Sequence, residues 1–412
     1  MVAAIQTGKH EPTDVLERIR SQFEADEPDI HAFIPEDNRW DRLGRELSTI
    51  ESETPLHGIP IGVKDIFHVD GFETHAGATV PPTELQGPEA SIVQRLIENG
   101  ALILGKTVTA EFAYFAPGPT RNPHDLSRTP GGSSSGSAAA VSAGMCPLAL
   151  GTQTAGSVIR PAAFCGIVGL KPSGDRLPTN GIIPFSPSLD QVGFFTADVE
   201  SARFAAATLF ETWSAPTYTR SPRIGIPARA YIEQASTATV QRFQQHCEQL
   251  EAAGFNLIEI PDCPNDIEWV NDQHETLMEA EGARTHRKWY DEYPEQYSDT
   301  LTALIERGRT ISENSLSSAQ SAQDEFGSEI ERAMASAGVD VLISPAAPGI
   351  APTGLNDTGD PIMNVPWTFA GVPAITLPVG SIDGLPLGLQ CVARYGNDER
   401  LLAWAREIAA VY

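Results

Sequence analysis

Two loops of small residues and one isolated lysine carry the chemistry of this sequence. The first loop is Gly131-Gly132-Ser133-Ser134-Ser135-Gly136-Ser137, and the second is Gly151-Thr152-Gln153-Thr154-Ala155-Gly156-Ser157. In the second, a run of small residues lets consecutive backbone N–H groups converge on one point. An oxyanion hole is built that way, with donors about 2.7–3.1 Å from a developing negative oxygen. A serine at the end of the run is placed to attack the carbon that bears that oxygen. The same residues also read as an ordinary turn opening a helix, with Ser157 as its cap. The first loop likewise reads as a flexible Gly/Ser linker or a backbone nest for phosphate. A nucleotide loop would need GxxxxGK[ST], and no lysine follows.

Lysine is scarce: Lys9, Lys64, Lys106, Lys171 and Lys288 are all there are. Lys64 follows the apolar run 58–63, GIPIGV. Buried there, its ammonium would lose solvation and its pKa would fall from about 10.4, by up to about 5. A neutral amine can act as a general base. The plainer readings are a lysine that snorkels to the surface or pairs with Asp65. A serine nucleophile needs a base, and the usual one is a histidine held by an aspartate. The nine histidines (His10, His31, His57, His68, His75, His124, His246, His274, His286) avoid the small-residue loops, and no GxSxG elbow occurs. If serine is the nucleophile here, lysine is the better base.

The elements that must position these groups read as alternating helices and strands. Apolar periodicity predicts helices at 12–24, 89–99, 199–210, 236–253 and 398–410. The alanine-rich 138–144 between the two loops also favours helix. Short apolar runs predict strands at 58–63, 101–104, 148–150, 167–170, 224–226, 255–260, 341–344, 374–378 and 387–392. Alternation of this kind implies an α/β sheet covered on both faces. Residues 266–337 are polar, charged and mostly helical in pattern, a helical insertion beside that sheet.

Composition narrows the classes. At 412 residues the chain exceeds the usual domain, so one large or two fused domains are expected. A net charge of −26 repels nucleic acid and anionic membranes, and neither is expected as a partner. The acidic, lysine-poor surface suits a salty cytoplasm as well as simple solubility. No run of 18 apolar residues occurs, and residues 1–10 lack an apolar core with a cleavage site, so a cytoplasmic protein is expected. Five cysteines (Cys146, Cys165, Cys247, Cys263, Cys391) form no CxxC pair, which argues against a disulfide framework or zinc site.

Several segments together resemble the amidase signature family: GIPIGVKDIF (58–67), GALILGKTVTAEFA (100–113), PGGSSSGSAAAVSAG (130–144), LGTQTAGSVIRPAAFCGIVGLKPS (150–173), PWTFAGVPAITLPVG and GLPLGLQ. The resemblance implies a central twisted mixed β-sheet covered by α-helices. It implies one amidase domain over 1–412, divergent on its substrate side at about 266–337. It implies a Ser-Ser-Lys triad with Lys64 as base, Ser133 as bridge and Ser157 as nucleophile, and a cis peptide before Ser133. The oxyanion would rest on N–H groups of Thr154, Ala155, Gly156 and Ser157. Arg160, Ser134 and Gly132 would contact substrate, without metal or cofactor.

Many relatives read GTDTGGSIR where this chain reads GTQTAGSVIR. Ala155 thus adds a methyl beside the oxyanion site, and Arg160 falls one place later. The pattern looks most like malonamidase-type small amidases, in which the matching arginine holds a substrate carboxylate; a structural arginine fixing the loop is the other reading. The expected activity is hydrolysis of a small linear amide through an acyl-enzyme, with a homodimer allowed. The alternative is the A-type subunit of a glutamine-dependent tRNA amidotransferase. Phe112, Tyr114, Trp269 and Trp367 are candidates for pocket walls, with core packing the better reading of each.

Overall fold

The computed structural model describes residues 11–51, 53–216 and 220–412; Lys9 and His10 lie outside them. Ten short strands, β1 (Pro60–Lys64), β2 (Leu102–Thr107), β3 (Leu148–Gln153), β4 (Val168–Lys171), β5 (Gln191–Thr196), β6 (Arg223–Ile226), β7 (Asn256–Glu259), β8 (Val341–Pro345), β9 (Ala374–Ile382) and β10 (Leu385–Ala393), form one sheet. Its order is β2-β1-β3-β5-β4-β9-β10-β8-β6-β7. Strands β2, β1 and β3 run parallel, as do β8, β6 and β7. The middle of the sheet is antiparallel. The sheet is therefore mixed. Strands β1 to β5 are buried along their whole length, which explains their continuous apolar runs in place of alternation.

The helices among the described residues are α1 (Pro12–Ile30), α2 (Arg39–Leu47), α3 (Ser91–Glu98), α4 (Ser135–Ser142), α5 (Ile159–Cys165), α6 (Val199–Leu209), α7 (Arg229–Ile232), α8 (Thr237–Ala252), α9 (Ile267–Glu292), α10 (Asp299–Thr310), α11 (Glu313–Ala337), α12 (Val365–Phe369) and α13 (Asp398–Ala409). The alanine-rich α4 is buried from Ser135 through Val141 and packs against β1, β2, β3 and α5. Its small side chains permit that depth. A Cβ on Gly136 would stand 2.1 Å from the Ala32 carbonyl oxygen, so only glycine fits.

Several elements differ from expectation, α1, α2 and β5 among them. Helix α1 continues six residues beyond 24 and ends where His31 turns left-handed, at φ 57°. Helix α2 was not anticipated. Strand β5 was also missed: Gly193 interrupts its apolar residues, so the run is too short to stand out locally. It nevertheless pairs with both β3 and β4 at the centre. Residues 266–337 fold as the long helices α9, α10 and α11; α9 packs on both of the others, and α9 and α11 also pack on α12.

Candidate active site

Lys64 is the last residue of β1, flanked by β2 and β3, and its side chain is 0 % exposed. Its Nζ lies 2.8 Å from Ser133 Oγ and 2.8 Å from Thr152 Oγ1. Burial brings the amine down from 10.5 to about 7, against an opposing pull from the charge of Asp190. A neutral amine has two hydrogens and one lone pair. With one N–H donated to Thr152, the lone pair is available to the Ser133 hydroxyl proton. Asp65 is not its partner: Asp65 Oδ1 pairs with Lys106 Nζ at 2.7 Å, both buried.

Ser133 follows the pair Gly131-Gly132; Gly131 has a φ of +85°, and the Gly132–Ser133 peptide is cis. A side chain on Gly131 would meet Pro161 of α5 at 2.8 Å, so the first loop lies directly on the start of the helix after the second. Ser134 is fully buried, and its hydroxyl donates to Thr152 O (3.2 Å) and accepts from Thr152 N (3.3 Å). It pins the first loop to β3. The linker reading of this loop does not hold: Ser133 to Ser137 are all buried.

The second loop is arched around Gln153, a wholly buried side chain. Its Oε1 accepts the N–H groups of Val158 and Ile159, each at 2.9 Å, at the start of α5. Its Nε2 donates to Thr368 Oγ1 at 2.9 Å, which in turn donates to Ala155 O at 2.6 Å. Gln153, not Ser157, therefore supplies the cap of α5. The Ser157 hydroxyl has no hydrogen bond among the described residues, to Ser133 or to any other group, and Ser157 is 7 % exposed. The N–H groups of Ala155, Gly156 and Ser157 likewise have no acceptor there. A serine hydroxyl and a row of backbone donors thus stand unspent beside one another among the described residues.

Two further contacts hold the loop. Thr154 Oγ1 donates to Asp190 Oδ1 at 2.6 Å. His274 of α9 donates from Nε2 to Thr154 O at 2.9 Å. Burial lowers the His274 imidazole to about 4, so it stays neutral.

Arg160 is 1 % exposed. Its Nε donates to Thr358 O and one Nη to Gly132 O, each at 2.8 Å. The other, Nη1, is buried without a partner, and so is Asn364 Oδ1. A Cβ on Gly156 would meet both, at 3.1 Å and 2.5 Å. Arg160 therefore braces the glycines before Ser133 and leaves Nη1 unspent beside the loop that ends in Ser157.

A cavity of about 80 Å³ opens between Thr152 and Asp190, walled by Ile66, Ala113, Ile183 and Phe185. Tyr114 stacks on Phe185 behind it at 5.2 Å. Phe112 and Trp367 are core, Trp367 donating from Nε1 to the Tyr231 hydroxyl, and Trp269 is exposed on α9. A larger cleft of about 560 Å³ runs between α7, α8 and β7 and touches none of the residues above. Among the described residues no three His, Cys, Asp or Glu side chains gather as a metal site, and all five cysteines are free thiols. No helix there is long and apolar enough to cross a membrane.

Sequence reasoning missed Thr152, Gln153, Asp190, His274 and Thr368. Gln153 alone left a local signal, a long amide in a loop of small residues just before a helix.

The model for the amidase family matches residues 15–402. The A-type subunit of the glutamyl-tRNA(Gln) amidotransferase of Prochlorococcus marinus (strain MIT 9313) is 32% identical, over 91% of this chain and 89% of that protein. A solved structure described as a crystal structure of amidase superposes with a TM-score of 0.86 at 31% identity, covering 98% of each chain. The substrate complex of 6-aminohexanoate cyclic dimer hydrolase superposes with a TM-score of 0.84 at 25% identity, over 99% of this chain and 95% of that one.

Proposed function

Because this chain belongs to the amidase signature family, we propose that it is a free-standing hydrolase of small amides working through Lys64, Ser133 and Ser157. The observation that carries the reading is a buried amine near neutrality, 2.8 Å from Ser133, beside a serine and backbone donors that have no other partner among the described residues.

Substrate binding brings the Ser157 hydroxyl within reach of Ser133, since catalytic hydrogen bonds often tighten only in the complex. Lys64 takes the Ser133 proton while Ser133 takes that of Ser157. Ser157 Oγ bonds to the amide carbon, and the carbonyl electron pair moves onto oxygen, facing the N–H groups of the 154–157 loop. Collapse breaks the C–N bond, and the proton returns through Ser133 to the leaving nitrogen. Water then cleaves the ester by the same relay. Arg160 Nη1 offers a charge-assisted bond to a carboxylate on the substrate, so a short acid amide is the favoured substrate. The five free thiols accord with a cytoplasmic setting.

A second reading, the catalytic subunit of a tRNA-dependent amidotransferase, is favoured by the whole-length match to that subunit. A screen of small amides with and without a carboxylate, read by ammonia release from the isolated chain, separates the two. The proposal expects turnover without partner subunits. It expects loss of turnover and of fluorophosphonate labelling in Ser157→Ala with unchanged thermal unfolding. It also expects Arg160→Leu to lose the preference for carboxylate amides. An active Ser157→Ala protein refutes the nucleophile. Activity only with co-purifying subunits supports the second reading.

A further inference from the structure

We propose that Asp190 is the positioning residue that serves Lys64 and the oxyanion loop together. It accepts a direct hydrogen bond from Thr154, and it lines a small cavity with Thr152, whose hydroxyl meets Lys64; its charge steadies the ammonium formed when the lysine takes a proton. This rests on the triad reading above.

The placement follows from the sheet. Strand β5 pairs antiparallel with β3, with Gln191 opposite Gln153, so the residue before Gln191 lies beside the residue after Gln153. Asp190 thereby reaches Thr154 with one oxygen. Its other oxygen accepts the N–H groups of Phe185 (2.7 Å) and Ser186 (3.0 Å). Three donors to one carboxyl favour the anion, although burial pushes it up to about 6. The cavity it lines is also lined by Thr152, whose hydroxyl touches Lys64 Nζ.

The other charged and titratable groups nearby are already engaged. Asp65 pairs with Lys106. The Lys171 amine donates to Pro172 O, Gln191 Oε1 and Val372 O. From α9, Glu281 accepts from Ser186 and Ser188, His274 is neutral on Thr154 O, and His286 is bonded to Tyr297. The charge of Asp190 works against the effect of burial on Lys64.

Attack on the amide moves a proton onto Lys64 and an electron pair onto the carbonyl oxygen. The cation forms inside the protein, where an unpaired charge is costly. A fixed anion acting on the amine lowers that cost, and at neutral pH Asp190 stays deprotonated. The same carboxylate fixes Thr154, so the site that receives the proton and the site that receives the negative oxygen share one anchor.

Two substitutions separate the halves. In Asp190→Asn the amide oxygen can accept from Phe185 and Ser186 while the NH₂ donates to Thr154 Oγ1, so the hydrogen bonds survive and the charge is lost. In Thr154→Val the charge survives and the loop bond is lost. Profiles of kcat/KM against pH are measured for both with a substrate that the wild type hydrolyses. Asp190→Asn should lower the plateau at least tenfold, chiefly in kcat. It should also move the acid limb to lower pH by half a unit or more, because the lysine loses its nearby anion. Thr154→Val should lower the plateau and leave the limb in place.

An Asp190→Asn enzyme with an unmoved acid limb overturns the electrostatic half. A Thr154→Val enzyme with an unchanged plateau overturns the loop half, even where Asp190→Asn does not fold. A wild type that neither turns over nor labels at Ser157 overturns instead the triad reading beneath both.

Discussion

Replacing Lys64 by methionine should stabilise the protein at neutral pH while abolishing its activity, and the stabilisation should reverse at high pH. The amine is 0 % exposed and is drawn from 10.5 to about 7 by burial. At about 1.4 kcal/mol per tenfold change in proton affinity, holding it neutral in the fold costs about 4 kcal/mol at pH 7. The unfolded chain prefers the ammonium there. At pH 10 the unfolded lysine is itself close to losing its proton, and the cost falls to about 1 kcal/mol. The sign follows from the depressed value: the native state binds fewer protons than the unfolded one between about 7 and 10.5, so stability rises with pH across that window. Methionine fills a similar volume and has no charge to desolvate, but it forfeits the contacts to Ser133 and Thr152, each worth about 1 kcal/mol. Lys64→Met should therefore be more stable by about 2 kcal/mol at pH 7 and less stable by about 1 kcal/mol at pH 10. With about 2.1 cal/mol/K per residue over 412 residues, the first figure raises Tm by about 2 °C. Calorimetry of both proteins at the two pH values measures this, and other titrating groups cancel in the difference. A variant less stable than wild type at pH 7, or a difference that does not move between pH 7 and 10, refutes the account of Lys64 as a neutral buried base.

The wild-type kcat/KM for any amide it hydrolyses should fall about tenfold per pH unit below about 7, as Lys64 becomes protonated; a profile flat down to pH 5 contradicts this. Gln153→Leu keeps the volume but strands the N–H groups of Val158 and Ile159. It should cost about 2–4 kcal/mol in calorimetry and slow fluorophosphonate labelling of Ser157, whereas unchanged labelling would show that the arch holds without Gln153.

What the sequence discloses here is what lies close together along it. The two glycine-serine loops, the alanine helix α4 between them and the strand-like run ending at Lys64 are local patterns. The mixed sheet covered by helices follows as expected. Lys64 and Ser133, 69 residues apart, do meet. The contacts that escaped notice join residues whose proximity exists only in the sheet. Asp190 is 36 residues from Thr154, His274 is 120 from it, and Thr368 is 213 from Ala155. Each belongs to an ordinary-looking stretch. Asp190 was hidden doubly, because β5 is a strand with a glycine in its middle and was not recognised. Composition spoke to Lys64 through the rarity of lysine, but it did not say that Asp65 would be spent on Lys106.

That rarity has a practical side. Lys64, Lys106 and Lys171 are interior, and among the described residues only Lys288 presents an amine to solvent. Acylating reagents and aldehyde cross-linkers will find a single anchor point on this part of the folded surface, at the outer face of α9. Three more amines become reactive when the chain opens, so the stoichiometry of amine modification counts unfolded molecules directly.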